Sequence, residues 1–184
     1  MIVLDAMEKC AGVTLTQAEL NDSPGVCLKL RGSLADLESA AIAAREAAER
    51  MGVGIVAHTI ASPAVDSNPA WEAVADFNRL IEQPTVHNPG KTMKDQSFAV
   101  GLIETQGFAA VFEAIDTALK TAAVEVVARE KLGGGFITVV IKGDVAAVRA
   151  AVDAGKAKVE GLGKLIAAHV IPNPSPGVLS LLPK

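Results

Sequence analysis

The amino-acid sequence contains an internal repeat, and this repeat constrains the possible folds more than any other feature. Residues 4–64 align without a gap with residues 115–175, at a spacing of 111 positions. Identical pairs occur along the whole alignment and include Asp5/Asp116, Lys9/Lys120, Gly32/Gly143, His58/His169 and Pro63/Pro174. Chance does not sustain such agreement over about 60 residues without a gap. The chain is therefore a diverged duplication, and both copies should share one fold.

The second copy has the clearer pattern of secondary structure. Short apolar runs rich in β-branched residues predict strands, and apolar residues at helical spacing predict two helices. The predicted elements are a strand at 98–104, a helix at 107–121, strands at 124–128 and 136–141, a turn at Lys142–Gly143, a helix capped by Asp144 that ends near Glu160, and a strand at 165–171. This β-α-β-β-α-β order is the split βαβ arrangement. The predicted fold class is α+β, with two tandem ferredoxin-like domains, each an antiparallel sheet with helices on one face.

The first copy is predicted to have the same elements with one omission. Met1 aligns with a residue inside the first helix of the second copy, so the opening strand has no counterpart. Either a neighbour covers the gap or another part of the chain supplies the strand. The pattern divides the chain into an incomplete domain at 1–66, a helical segment and linker at 67–96, and a complete domain at 97–184. Within the middle segment, 69–81 has one apolar face typical of a helix, and 83–96 is predicted to be linker.

Composition argues against several classes of partner. The formal net charge is −4, so the chain lacks the basic field that attracts nucleic acid. No apolar run approaches the roughly 20 residues that span a bilayer, and no leader pattern is present. A cytoplasmic protein without nucleic-acid or membrane partners is expected.

The cysteines and histidines offer no pattern of a catalytic or metal site. Cys10 and Cys27 lack metal-ligand spacing and are predicted to be small core residues, so no metal or cofactor is expected. His58 and His169 are duplicated within apolar strands, but no duplicated nucleophile accompanies them. They are predicted to be packed histidines, and His87 is predicted to be a solvated linker residue.

Several linked motifs resemble the bacterial microcompartment shell domain. In the second copy these motifs are Ala99–Thr105, Ala114–Val126, Gly133–Gly135, Lys142–Val145, Ala151–Gly155 and His169–Pro174, and they cover essentially all of 97–184. The first copy is similar at Asp5–Ala11, Arg31–Leu34 and His58–Ile60. The resemblance implies a structural shell protein rather than an enzyme. Tandem members of this family form homotrimers whose six domains mimic a hexamer around a pore, and the trimers pack beside other shell proteins and pass small metabolites.

The resemblance also implies which residues line the pore and which lie at the edge of the tile. The implied pore residues are Leu132, Gly133, Gly134 and Gly135 in the second copy and Asn21, Asp22, Ser23 and Pro24 in the first. Consecutive glycines expose backbone N–H groups that can bind polar or anionic metabolites, although the same residues also suit an ordinary turn. A phosphate-binding loop is disfavoured because a strand, not a helix, follows the glycines. Lys9 and Lys120 correspond to the edge lysine of the family. Asn173 replaces a basic residue that is common there, which predicts weaker lateral affinity.

Three alternatives remain open from the sequence. A hexamer of chains could use only the second copy in its ring, with the first copy as a decoration. A duplicated ferredoxin-like protein could instead bind a small-molecule effector, and a trimeric enzyme could place its site between subunits.

Overall fold

The structure is a computed structural model that describes residues 1–20, 25–64, 67, 77–78, 83–88 and 98–182. The chain forms two compact units. Unit 1 comprises Met1–Asn78, Pro84–Met93 and Ser175–Leu181, and unit 2 comprises Arg79–Gln83, Lys94–Pro174 and Leu182–Lys184.

The described residues of unit 1 include two long helices and a small antiparallel sheet. In chain order its main elements are α1 (Ile2–Cys10), β1 (Thr14–Leu20), β2 (Val26–Arg31) and α2 (Leu34–Arg50). Short strands follow in the chain at β3 (Phe77–Asn78), β4 (Gln83–Pro84) and β5 (Val86–His87). The three-stranded sheet of unit 1 has the order β2-β1-β5. Ser33 caps α2 by accepting a hydrogen bond from the backbone N–H of Asp36 at 3.1 Å. The buried face of α2 consists of alanines, and their small size lets α2 pack closely.

Unit 2 contains the complete split βαβ arrangement. Its elements are β6 (Ala99–Gln106), α3 (Phe108–Thr121), β7 (Glu125–Gly133), β8 (Phe136–Gly143), α4 (Val145–Ala157) and β9 (Lys164–Ile171). A final short helix, α5 (Pro176–Ser180), belongs to unit 1. The sheet order is β7-β8-β6-β9 and every pairing is antiparallel. The predicted fold class is confirmed.

One hydrophobic core joins the sheet of unit 2 to its two helices. Alternate residues of β6 and β8, such as Ile103 and Val139, point to the same side as Val111 of α3 and Val148 of α4. Gly101 lies at the closest contact between β6 and α4. A Cβ atom there would lie 2.7 to 2.8 Å from side-chain carbons of Val152, Ile141 and Val148. The helices therefore cover one face of the sheet, and a glycine allows their approach.

Several predicted boundaries in unit 2 need correction. Asp144 caps α4 as predicted, because its carboxylate accepts from the N–H of Ala147 at 2.8 Å. The helix ends at Ala157 rather than near Glu160. The predicted turn at Lys142–Gly143 is wrong, because both residues belong to β8. There they pair with Val100 and Ala99 of β6.

Unit 1 departs further from prediction. Residues 53–60, which align with β9, are not a strand, because they have no neighbouring strand to pair with among the described residues. The predicted helix over 69–81 does not hold at Phe77–Asn78, which form β3; residues 68–76 and 79–81 lie outside the described part of the chain. The predicted linker contains β5, in which Val86 and His87 pair with Glu19 and Ala18 of β1. This pairing half-buries His87, which was predicted to be solvated.

Both cysteines were predicted to be core residues, and both are exposed. Cys10 lies at the end of α1, where its thiol donates to the carbonyl of Met7 at 3.3 Å. Cys27 lies on β2, which is the outer strand of the sheet β2-β1-β5 among the described residues. Neither position receives the packing partners that would bury a small apolar side chain.

Candidate functional site

The glycine run of unit 2 forms the tip of the β7–β8 hairpin. Gly133 is the last residue of β7 and pairs with Phe136, so that Gly134 and Gly135 form a two-residue turn. Their φ angles are 57° and 81°, and that of Gly133 is 80°. Two successive positive φ angles are the pattern of the type I′ hairpin turn. Such angles are strained for most residues and are most easily adopted by glycine and asparagine. The turn that was predicted for this sequence is present.

The start of α3 anchors this hairpin tip. The side-chain N–H of Gln106 donates to the carbonyl of Gly134 at 3.1 Å, and the backbone N–H of Gly107 donates to the carbonyl of Gly135 at 3.0 Å. No acceptor for the N–H groups of Gly134 and Gly135 occurs among the described residues, and both glycines are exposed. The tip therefore presents backbone donors to solvent while its carbonyls are held.

The anchor itself depends on a third segment, which sequence reasoning missed. Gly163 packs closely against this anchor. A Cβ atom added to Gly163 would lie 2.6 Å from the carbonyl oxygen of Gln106 and 2.8 Å from Cβ of Ala110. Gly107, at the helix N-cap, has a φ of 124°. Gly107, at the junction between β6 and α3, was the feature of the sequence that could have indicated this anchor. The contact with Gly163 is non-local and has no pattern in the sequence.

Most of the other residues implied to line the pore lie outside the described part of the chain. Asn21, Asp22, Ser23 and Pro24 lie outside the described residues, as does the side chain of Leu132. Gly25, which directly precedes β2, has a φ of 118°.

The duplicated lysines lie at equivalent helix ends and share one arrangement. Lys9 bonds to Asp5 at 2.6 Å on α1, and Lys120 bonds to Asp116 at 2.5 Å on α3. The hydrogen bond and charge of Asp116 raise the pKa of the Lys120 side chain. Both lysines lie in the last turn of their helices, where the helix dipole favours a cation. Both are exposed, as is Asn173, so all three are accessible for contacts with another molecule.

Carboxylates of α1 hold the C-terminal segment in unit 1. Asp5 accepts from the N–H of Ser175 at 2.9 Å, and Glu8 accepts from the N–H of Gly177 at 2.8 Å. These bonds satisfy N–H groups at the start of α5, which lack partners within the helix. Asp5 thus contacts both Lys9 and the last segment.

The histidines do not assemble into a catalytic site in the described part of the chain. His58 is exposed in residues 53–60 rather than in a strand, and His169 is half-buried on β9 opposite Leu102. Among the described residues, no three His, Cys, Asp or Glu side chains are grouped as metal ligands would be.

An exposed apolar surface runs along α3. Phe108, Phe112 and Leu119 are 47%, 52% and 45% exposed, and the two phenyl rings are 5.6 Å apart. Arg129 and Lys131 of β7 place their cationic groups 5.9 and 5.6 Å from the ring of Phe108. Three exposed large apolar side chains on one helix form the kind of patch that marks a protein interface. We call these three residues the α3 apolar surface.

Glu104 is a half-buried carboxylate on β6, and burial raises the pKa of its side chain above the ordinary 4.5. Above pH 4.5 and up to the raised pKa, the folded state holds more protons than the unfolded state, so stability falls as pH rises through this window. We expect Glu104→Gln to increase the free energy of unfolding at pH 7. The difference should disappear near pH 4, where both side chains are neutral. Urea unfolding at the two pH values measures this, with the exposed Glu113→Gln as the control. An equal gain at both pH values would show that the carboxylate charge is not the cause.

Comparison with known proteins identifies the family. The BMC domain model matches the chain twice, over residues 1–63 and 99–174. The chain therefore belongs to the BMC domain family and carries two tandem copies of that domain. Among the described helices, none is both long and apolar enough to cross a membrane.

The most similar relatives include shell proteins of microcompartments. The bacterial microcompartment shell protein PduA of Salmonella typhimurium is 47% identical over 89 residues, which cover 48% of this chain and 95% of that protein. The carboxysome assembly protein CcmO of Synechococcus elongatus is 36% identical over 181 residues, which cover 98% of this chain but only 63% of that protein. A solved microcompartment protein from Desulfitobacterium hafniense is 25% identical, with a TM-score of 0.42, and the match covers 96% of this chain and 88% of that one. The family membership supports a structural role in a microcompartment shell.

Proposed function

We propose that three copies of this chain form a pseudohexameric tile of a microcompartment shell, with a central pore for small polar metabolites. One observation carries the proposal: a single chain contains two copies of the BMC domain. If six such domains close a ring, three chains complete it, and cyclic closure leaves an opening on the axis. In this role the protein has no catalytic function, and its partners are copies of itself and other shell proteins.

The α3 apolar surface supports assembly. A monomer in water would leave Phe108, Phe112 and Leu119 about half exposed. Burying such surface against another chain contributes roughly 25 cal/mol per Å² of apolar area. The cations that flank Phe108 could then pair with acidic groups at the rim, as polar residues do at the edges of many interfaces. We assign this surface to the contact between chains of the trimer.

The glycine hairpin supports the pore. Its exposed backbone N–H groups attract the partly negative atoms of polar metabolites without a side chain in the opening. The aligned segment of the first copy, residues 21–24, has a polar sequence that contains Asp22. A threefold pore would alternate the two loops, so we do not expect it to select only anions.

The assembly is tested by the mass of the purified protein in light scattering. We expect three times the 18.9 kDa of one chain. Phe112→Ser should shift the protein to monomers, whereas Glu113→Ala, at the exposed neighbouring position, should leave the trimer intact. A stable wild-type monomer would exclude the tile. Six chains would mean that only the second copy forms the ring.

The edge lysines give a second prediction for this function. We expect the double variant Lys9→Ala, Lys120→Ala to keep the trimer mass but to assemble poorly into extended sheets in electron microscopy. If the loss of both lysines weakens the sheet by about 1.4 kcal/mol per trimer, the protein concentration needed for sheets should rise on the order of tenfold.

The control for this prediction is Lys156→Ala. Lys156 is also an exposed helix lysine, and it bonds to Asp153 at 2.6 Å, but it is not one of the proposed edge residues. Normal sheets from this variant, together with poor sheets from the double variant, would support the edge role. Normal sheets from both would exclude Lys9 and Lys120 as edge contacts.

A further inference from the structure

The turn at the tip of the β7–β8 hairpin has two accessible forms, which differ in the orientation of one peptide. Type I′ and type II′ turns both have a positive φ at the first central residue, but only type I′ has one at the second. Rotation of the peptide between Gly134 and Gly135 by about 180° converts one form into the other without moving the flanking strands. Both central residues are glycine, so no side chain in the turn selects a form. The φ of Gly135 is 81°, which defines type I′, and a contact outside the turn can stabilise that form.

Gln106 makes such a contact with the peptide that rotates. Its side-chain N–H donates to the carbonyl of Gly134 at 3.1 Å, and this carbonyl would point away from Gln106 in a type II′ turn. The second anchor of the tip runs from the N–H of Gly107 to the carbonyl of Gly135 at 3.0 Å. That carbonyl lies outside the rotating peptide, so this bond can form in both turns. Of the two anchoring bonds, only the bond from Gln106 distinguishes type I′ from type II′.

The backbone of Gln106 is fixed where its side chain reaches the turn. Gln106 is the last residue of β6 and pairs with Phe136 of β8 and Lys164 of β9. Gly163 packs against the same residue, since an added Cβ there would lie 2.6 Å from the carbonyl oxygen of Gln106. Neighbours on three sides therefore hold the donor in place while the glycine turn keeps its conformational freedom.

The bond from Gln106 also sets which backbone group the tip presents on its other side. A peptide is planar and trans, so the carbonyl of Gly134 and the N–H of Gly135 point in opposite directions. Because the carbonyl points toward Gln106, the N–H of Gly135 points away from it. Rotation of this peptide would exchange a hydrogen-bond donor for an acceptor at the tip.

We propose that Gln106 is a positioning residue that holds the hairpin tip in the type I′ form and thereby sets the charge preference of the pore. The charge preference rests on the proposed function, whereas the choice of turn does not. In type I′ the tip presents the N–H of Gly135, which attracts anions and the negative ends of polar solutes. In type II′ it presents the carbonyl of Gly134, and carbonyl oxygens attract cations. Loss of one neutral hydrogen bond changes the ratio of the two forms by about fivefold.

Substitutions at Gln106 test the choice of turn. Gln106→Glu keeps the size of the side chain but replaces the donor by an acceptor, so it should favour type II′, in which the N–H of Gly135 faces residue 106. Gln106→Lys keeps a donor and should retain type I′. In NMR of glycine-labelled protein, the amide protons of Gly134 and Gly135 are close together in type I′ and far apart in type II′. We expect their cross-peak to weaken about fivefold or more in Gln106→Glu and to persist in Gln106→Lys. A cross-peak of wild-type strength in Gln106→Glu would overturn the proposal.

Flux across assembled shells tests the charge preference, with acetate and ethylammonium as probes of similar size and opposite charge. Gly135→Ala adds no charge and should favour type II′, because alanine disfavours a positive φ. We expect its permeability ratio of acetate to ethylammonium to fall about fivefold. The matched control is Gly161→Ala, whose φ is 82° and whose Cβ meets no atom within 4 Å, and it should keep the wild-type ratio.

The two measurements separate this inference from the proposed pore. An unchanged ratio in Gly135→Ala shells that show the type II′ signal would overturn the role of Gln106 in charge preference. Wild-type shells that pass neither probe would contradict the proposed pore and with it that role. The cross-peak in Gln106→Glu decides in either case whether Gln106 selects the turn.

Discussion

Replacing Gly101 by leucine is expected to unfold unit 2. Even the first carbon of a side chain would lie 2.7 to 2.8 Å from Val152, Ile141 and Val148, all of which are buried. Overpacking a filled core by a methyl group costs about 1–3 kcal/mol, and leucine adds three more carbons. Because domains of this size are stable by only about 5–15 kcal/mol, the larger substitution removes most of that stability.

Two variants and one control distinguish overpacking of the core at Gly101 from a general loss of stability. Gly101→Ala should lower the thermal midpoint of unit 2 by several degrees, at roughly 4–8 °C for each kcal/mol. Gly54→Ala is the control, because a Cβ there meets no atom within 4 Å and its φ is not positive. Amide exchange of residues 137–141 reports on unit 2 separately from unit 1. Unchanged exchange in Gly101→Leu would show that α4 can move away from β6 without cost.

The second large effect concerns transport through the proposed pore. Gly134→Leu would place three apolar side chains near the threefold axis and narrow the opening with hydrocarbon. Apolar constrictions close pores to polar solutes by excluding water, so we expect flux of polar metabolites across assembled shells to fall on the order of tenfold or more. The turn has room for the substitution, since a Cβ on Gly134 would lie 3.4 Å from the ring of Phe136.

The control substitution must introduce similar backbone strain at a position away from the hairpin tip. Gly134 has a φ of 57°, which costs leucine about 1–3 kcal/mol. Gly161 has a φ of 82° and no atom within 4 Å of an added Cβ, so Gly161→Leu provides comparable strain away from the hairpin tip. We expect this control to retain flux. Equal flux through correctly assembled trimers of both variants would mean that the hairpin does not line the route and that the tile is purely architectural.

Local patterns were sufficient to predict most of unit 2. The cap at Asp144, the strand-to-helix change near Gly107 and the glycine turn each depend on residues a few positions apart, and all three are present. The repeat added the information that both copies descend from one fold. The candidate pore turn was predictable for the same reason, because positive φ is a local requirement that glycine meets.

The anchor beneath the hairpin was not predictable in this way. Gly163 is more than 50 residues from Gln106 in the sequence, and the requirement for a glycine there arises only when the two backbones approach. The pairing of β5 with β1 is equally non-local. Neither contact leaves a periodic pattern in the residues that make it.

The clearest difference between local pattern and tertiary structure lies in the two copies of the last strand. Residues 53–60 and 164–171 align and share Ile55/Ile166, Ala57/Ala168 and His58/His169, yet only the second segment is a strand. The sequence by itself determined the duplication, the fold class and the glycine turn between β7 and β8. The tertiary structure decided which copy completes its sheet, because the backbone hydrogen bonds of a strand come from its neighbour, and only unit 2 contains β6 to provide them among the described residues.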